Sequence, residues 1–207
     1  MTNKPDITII IPCHQFDERV EKAIASAEWA KEILIIDQNS KVDWATLQKK
    51  YHFSVIEHHD LTNFSEMKNQ AMKEVQTEWV FFLDSDEFIT HELAKEIEQR
   101  IQDNSYDALS VQRVDIFLNK VIFHGETRSV IFTRVVKMGR GEWSGEVHEE
   151  LRLKHEYGKI KKLSSPLFHE SHISIYEFIQ KINFYTSLLA QIRKEQHIIL
   201  KSVLLPV

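Results

Sequence analysis

Four short apolar runs, separated by amphipathic stretches, recur through the first half of the chain and limit its fold more than any other feature. Ile7-Thr8-Ile9-Ile10-Ile11 does not alternate apolar with polar residues, so it reads as a strand buried on both faces, ended by Pro12. Ile33 to Ile36, Phe53 to Ile56 and Trp79 to Leu83 read as three more strands. Between them, Asp17 to Trp29 places Val20, Ile24 and Ala27 at helical spacing, while Trp44 to Tyr51 and Ser65 to Val75 read as further helices. A βαβαβαβ series of this kind predicts an α/β fold with a Rossmann-like, mostly parallel central sheet flanked by helices.

Such sheets take ligands beyond the carboxyl ends of their strands, so the residues just after each run carry the functional information. They are Pro12-Cys13-His14, Asp37-Gln38-Asn39-Ser40, His58-His59-Asp60 and Asp84-Ser85-Asp86-Glu87. With only 5 glycines, the chain has neither a dinucleotide-type glycine fingerprint nor a P-loop, so phosphate must be held in another way. Asp84 and Asp86 offer one: two carboxylates, one residue apart, at the mouth of a buried strand. Hard divalent cations such as Mg²⁺ or Mn²⁺ take one or two protein carboxylates and complete their shell with water and substrate phosphate. The competing reading is an acidic turn that caps the next helix, since Asp and Ser are good N-caps. Asp37 is placed to accept hydrogen bonds from a base or ribose, or to close an ordinary Asx turn. Lys68 and Asn69 are within reach of phosphate or base from the helix before the fourth strand, although a lone helical lysine more often faces solvent.

The second half changes character. After a helix at about Glu92 to Gln102, Ala108 to Leu118 and Val130 to Val136 read as longer strands that fit an antiparallel arrangement. Gly139 to Gly145 holds three of the five glycines and predicts a tight loop leading into Glu146-Val147-His148-Glu149-Glu150. Glu149 is the candidate general base, because crowded carboxylates favour proton uptake by one of their number; the alternative is an exposed acidic strand edge. His169 and His172 match no standard zinc spacing. Ser174 to Lys194 reads as an amphipathic helix, with Tyr176, Phe178, Phe184 and Tyr185 packing rather than forming a sugar platform. The expected division is a donor half over 1–104, an acceptor-side half of the same domain over 105–195, and an apolar tail over 196–207.

A net charge of -5 supplies no basic footprint, which argues against a nucleic-acid partner. The single cysteine, Cys13, rules out an internal disulfide and fits a reducing compartment. The first apolar run is too short for a leader or a membrane span, so a cytoplasmic protein is expected. Its tail either tucks onto the body, touches the inner face of a membrane, or marks a cut in a longer protein.

Taken together, Ile7 to Pro12, Glu32 to Ser40, Phe64 to Ala71 running into Trp79 to Glu87, and Val147-His148-Glu149 followed by Leu167-Phe168-His169 resemble the family 2 glycosyltransferases with a GT-A fold. The likeness is strongest to the bacterial branch that adds glucose or a similar sugar to the lipopolysaccharide core. It implies an inverting transfer from a nucleoside-diphosphate sugar, commonly a uridine one, to a hydroxyl of a glycan, glycolipid or other acceptor. The resemblance makes Asp86 the chief metal ligand, with Asp84 supporting it and His169 a further ligand of Mg²⁺ or Mn²⁺. It places Pro12, Asp37, Lys68, Asn69 and Asp84 around the donor and makes Glu149 the base. This chain departs from the family pattern at Gln38, where many members carry a second Asp. It also has Thr133-Arg134-Val135-Val136-Lys137 in place of an Arg-Leu-Phe-Arg-like segment, and the sequence stops at Val207 where such relatives continue with a basic, apolar tail, as a truncation would leave it. Two other readings share these features: a non-catalytic nucleotide-sugar binding protein, and a sugar nucleotidyltransferase, which ordinarily has a glycine-rich loop after the first strand.

Overall fold

A computed structural model describes residues 4–58, 64–122, 124, 130–145, 149–172, 174–176, 178–180, 182–183, 186–187 and 190. His59 and Asp60, Glu146 to His148, Phe184 and Tyr185, and the apolar tail lie outside the described residues.

The first half forms the expected series: β1 (Ile7–Cys13), α1 (Glu18–Ala27), β2 (Glu32–Asp37), α2 (Trp44–Gln48), β3 (Ser54–Glu57), α3 (Phe64–Glu74) and β4 (Trp79–Phe82). All four strands are parallel, in the order β3-β2-β1-β4. Successive β1 side chains explain its unbroken apolar run. Ile7, Ile9, Ile11 and Cys13 pack against α1 and the helix α4 (His91–Asp103), whereas Ile10 packs on the opposite face with Met67 and Ala71 of α3. Contrary to the sequence reading, Pro12 does not end β1; the strand continues to Cys13. Pairing with β4 stops at Ile10, and only β2 follows β1 as far as Cys13. Pro12 therefore sits where β1 has one neighbouring strand, which makes its missing N–H tolerable.

The second half extends the same sheet instead of building a separate unit. After β5 (Glu87–Phe88) come α4, β6 (Ala108–Phe117), β7 (Lys120–Val121) and β8 (Ile131–Lys137), then β9 (Gly141–Ser144), β10 (Glu150–Leu153), β11 (Ile160–Lys162) and β12 (Leu167–His172). The sheet continues from β4 as β8-β6-β12-β5, with β8 antiparallel to both β4 and β6, as the two long runs suggested. The glycine segment is not a loop throughout: Gly141 to Ser144 is a strand paired with β10. Gly139 turns the chain at φ 80. At Gly141 an added Cβ would meet the Arg152 carbonyl and a Val136 methyl at 3.1 Å, so glycine lets the hairpin lie close to β8. β10, β11 and β12 carry charged and apolar residues together, which hid them from a pattern search. Beyond β12, Tyr176 is 74% exposed rather than packed, whereas Phe178 meets the Phe117 ring edge-on at 5.3 Å.

Candidate functional site

The carboxyl end of β4 delivers Asp84 and Asp86 into a two-residue turn before β5, as the sequence predicted. Neither caps α4, whose N-cap is Thr90, its side chain accepting a hydrogen bond from the Leu93 N–H. The two aspartates diverge. Asp84 is gripped by the Arg134 guanidinium, whose two terminal nitrogens donate to the two carboxylate oxygens at 2.8 and 3.3 Å. Arg134 is 6% exposed and comes from the middle of β8, placed beside β4 by their antiparallel pairing. The same guanidinium lies 3.5 Å from Glu87, a fully buried carboxyl whose Oε2 accepts from the Asp84 N–H.

Electrostatics separates these neighbours. Burial works against ionised Asp84, yet the Arg134 and Lys68 charges hold it well below the usual carboxylate range. Burial pushes Glu87 up to about 7 against the pull of Arg134. Asp86 faces His169 of β12, whose Nε2 lies 3.3 Å from Asp86 Oδ2. On its far side, His169 Nδ1 is 2.7 Å from an Asp115 carboxylate oxygen on β6. Burial would lower the His169 value, but its hydrogen bonds to Asp115 and Asp86 outweigh this and raise it to about 9.

A cleft of about 570 Å³ opens next to Asp84, lined by Lys68, Arg113, Phe132, Arg134, Trp143 and Glu149 among others. Here two residues read separately from the sequence meet: Lys68 Nζ donates to Glu149 Oε1 at 2.8 Å. The ammonium also sits 4.1 Å from the centre of the Trp143 ring. Glu149 thus faces an opposite charge; Glu146, one of the carboxylates expected to crowd it, lies outside the described residues. Glu150 is exposed and turned toward Arg152. Asn69 commits both ends of its carboxamide to Trp143, accepting from its backbone N–H and donating to its carbonyl, and so clamps β9 onto α3.

The end of β2 is closed locally. Asp37 accepts from the Ser40 N–H at 2.8 Å and from the Trp44 indole at 2.9 Å, so the Asx turn is present. Gln38 is 4% exposed, and its Nε2 has no hydrogen-bond partner among the described residues. Pro12 pairs with Ile36 next to it. The sequence reading missed Asp115, Trp143 and Glu87 as members of the site and gave Arg134 no role in it. One signal was available: a lone arginine inside the apolar run Ile131 to Val136 needs a buried partner.

Among the described residues no three His, Cys, Asp or Glu side chains converge on a point that could hold a metal. Asp86 and His169 do converge. Two protein ligands suit a Mg²⁺ or Mn²⁺ site in which water and substrate phosphate supply the rest. No described helix is long and apolar enough to cross a membrane.

The family model described as glycosyl transferase family 2 matches residues 8–178. An uncharacterized glycosyltransferase of Rickettsia typhi is 24% identical over 185 residues, covering 83% of this chain and 62% of that protein. The crystal structure of S. aureus TarS residues 1–349 superposes with a TM-score of 0.58 at 15% identity, over 80% of this chain and 60% of that fragment. The same TarS fragment in complex with UDP-GlcNAc gives 0.58 at 14% identity, over 81% and 59%. The fold is thus GT-A, and the chain spans about three-fifths of the length of these relatives.

Proposed function

Since this chain belongs to glycosyl transferase family 2, we propose that it moves a sugar, with inversion, from a nucleoside-diphosphate sugar to a hydroxyl of a glycan or glycolipid acceptor. The observation that carries this reading is the convergence of Asp84, Lys68, Arg134 and Glu149 on one cleft beyond β4, with Asp86 and His169 adjoining. A uridine donor is favoured by the TarS relative, which has been crystallised with UDP-GlcNAc. Residues 1–104 form the donor half and 105–195 the acceptor side. A lipopolysaccharide or other cell-surface glycan is the expected product, made at the inner face of the membrane.

In this mechanism Asp86 and His169 hold Mg²⁺ or Mn²⁺, which when bound neutralises charge on the leaving diphosphate. Asp84, fixed by Arg134, orients the ribose and sugar, and Pro12, Asp37 and Asn69 border the nucleotide. Glu149 accepts the proton of the acceptor hydroxyl as that oxygen bonds to the anomeric carbon. The bond to the diphosphate breaks on the opposite face, so the configuration inverts.

The test is donor turnover with Mn²⁺ or Mg²⁺ across uridine, guanosine and thymidine sugars, followed by acceptor screening. Asp86→Ala is expected to lower turnover by about 100-fold or more, and Glu149→Gln to abolish transfer in a protein that still binds the donor. A protein without donor turnover, whose nucleotide binding ignores both metal and Asp86→Ala, would refute the reading.

A further inference from the structure

Lys68 stands out among the charged groups of the molecule because its surroundings only half account for it. It is 4% exposed, and an ammonium withdrawn this far from water is costly unless matched by nearby charge and acceptors. An ammonium has three N–H donors. Among the described residues, Glu149 Oε1 is its one hydrogen-bond acceptor, and the Trp143 ring covers it at 4.1 Å. The remaining donors sit in the cleft that Asp84 also lines. Lys68 is near enough to Asp84 for its charge to help keep that carboxyl ionised. The ammonium thus lies between the turn proposed to meet the diphosphate and the carboxylate proposed to act as base.

Resting on the donor and base assignments above, we infer that Lys68 couples donor binding to the release of the base. Without donor it holds Glu149 in an ion pair, and an arriving diphosphate takes over the ammonium and frees the carboxylate. While Glu149 Oε1 accepts from Lys68, one of its lone pairs is committed and the ammonium stands against the carboxylate that an acceptor hydroxyl must approach. A phosphate oxygen at the cleft competes for the same ammonium with greater charge. The arrangement orders the reaction, donor first and acceptor second, and keeps the base occupied until there is a sugar to transfer. Linkage makes the effect reciprocal: if the diphosphate weakens the Lys68–Glu149 pair, the pair must weaken diphosphate binding by the same factor.

Reciprocity can be measured without turnover. Uridine diphosphate with Mn²⁺ would be titrated calorimetrically into the wild-type chain, Glu149→Gln, Lys68→Met and the double variant, with thermal unfolding of each as a check on folding. Glu149→Gln is expected to bind about 10-fold more tightly than wild type, because a neutral carboxamide competes weakly for the ammonium. Lys68→Met is expected to bind about 10-fold more weakly, and adding Glu149→Gln to it should change affinity by less than about 2-fold. Lys68→Arg, which keeps the charge should Lys68→Met fail to fold, is expected to retain the response to Glu149→Gln. Equal affinities in wild type and Glu149→Gln, or the same gain with Lys68 absent, would overturn the coupling and leave the donor site standing. Absence of binding in every form, to this and to guanosine and thymidine diphosphates, would overturn the donor site and the coupling together.

Discussion

Strands β2 and β4 flank β1, and each leads to an aspartate, Asp37 as the last residue of β2 and Asp84 two residues past β4, yet the two are held in opposite ways. The Asp37 carboxylate accepts from residues three and seven further on, Ser40 and Trp44. Asp84 finds its partner fifty residues away, in Arg134, and the same guanidinium approaches Glu87. At one end the carboxylate closes a local turn; at the other it joins a knot of charges tied by tertiary pairing. A turn whose contacts are local can form with its own segment. Buried charges brought together from separate strands are tolerable only when all are in place, so that region should respond far more sharply to the loss of one member.

The sharpest way to break this comparison is to remove the shared cation. Arg134→Met keeps the apolar stem but takes from part-exposed Asp84 and buried Glu87 the guanidinium they share, leaving only the more distant Lys68 and His169 charges near Asp84. It is expected to cost about 3–5 kcal/mol in denaturant-induced unfolding. A cost no larger than that of losing Asp37 would mean that the two ends are equivalent after all.

A smaller effect is expected from pH. In the metal-free protein His169 is raised from its ordinary 6.5 to about 9 by Asp115 and Asp86. The folded state therefore holds this proton more tightly than the unfolded chain. The associated stability is fully present below pH 6.5 and is lost as pH rises through about 9, a change on the order of 1–3 kcal/mol. Thermal unfolding of wild type should thus decline across that window. His169→Gln should flatten the slope, and an unchanged slope in this variant would assign the titration elsewhere.

The smallest effect belongs to the local turn. Asp37→Ala removes the acceptor of the Ser40 N–H and of the Trp44 indole, and is expected to cost about 1 kcal/mol. Trp44 fluorescence should shift as the indole loses its partner, while stability at the β4 end is preserved. A loss comparable to that of Arg134→Met would show that the β2 end, too, depends on distant structure.

Much of the donor half could be read in advance, because each of its signals is local. Apolar runs mark the strands, helical spacing marks α1 and α3, and the Asp84-Ser85-Asp86 turn follows its strand directly in the chain. Glu149 and His169 were legible only through the resemblance, since nothing in their own neighbourhoods separates them from an acidic edge or a chance histidine. The short strands β10 to β12 escaped because each mixes charged side chains with few apolar residues, leaving no period to detect.

The sequence by itself determined where the carboxylates emerge, since a buried strand must end in residues that tolerate the sheet's rim. Only the tertiary structure decided their company. Arg134 meets Asp84 across a separation of 50 residues, His169 meets Asp115 across 54, and Lys68 meets Glu149 across 81. The physical reason lies in what a pattern records. Hydrophobic periodicity reports which side of a strand or helix is buried; the neighbour of that strand is set by pairing and register. Inserting β8 antiparallel beside β4 put a buried arginine against Asp84, and folding β9 onto α3 brought Trp143 over Lys68, where it meets Glu149. Neither event leaves a trace in the spacing of residues along the chain.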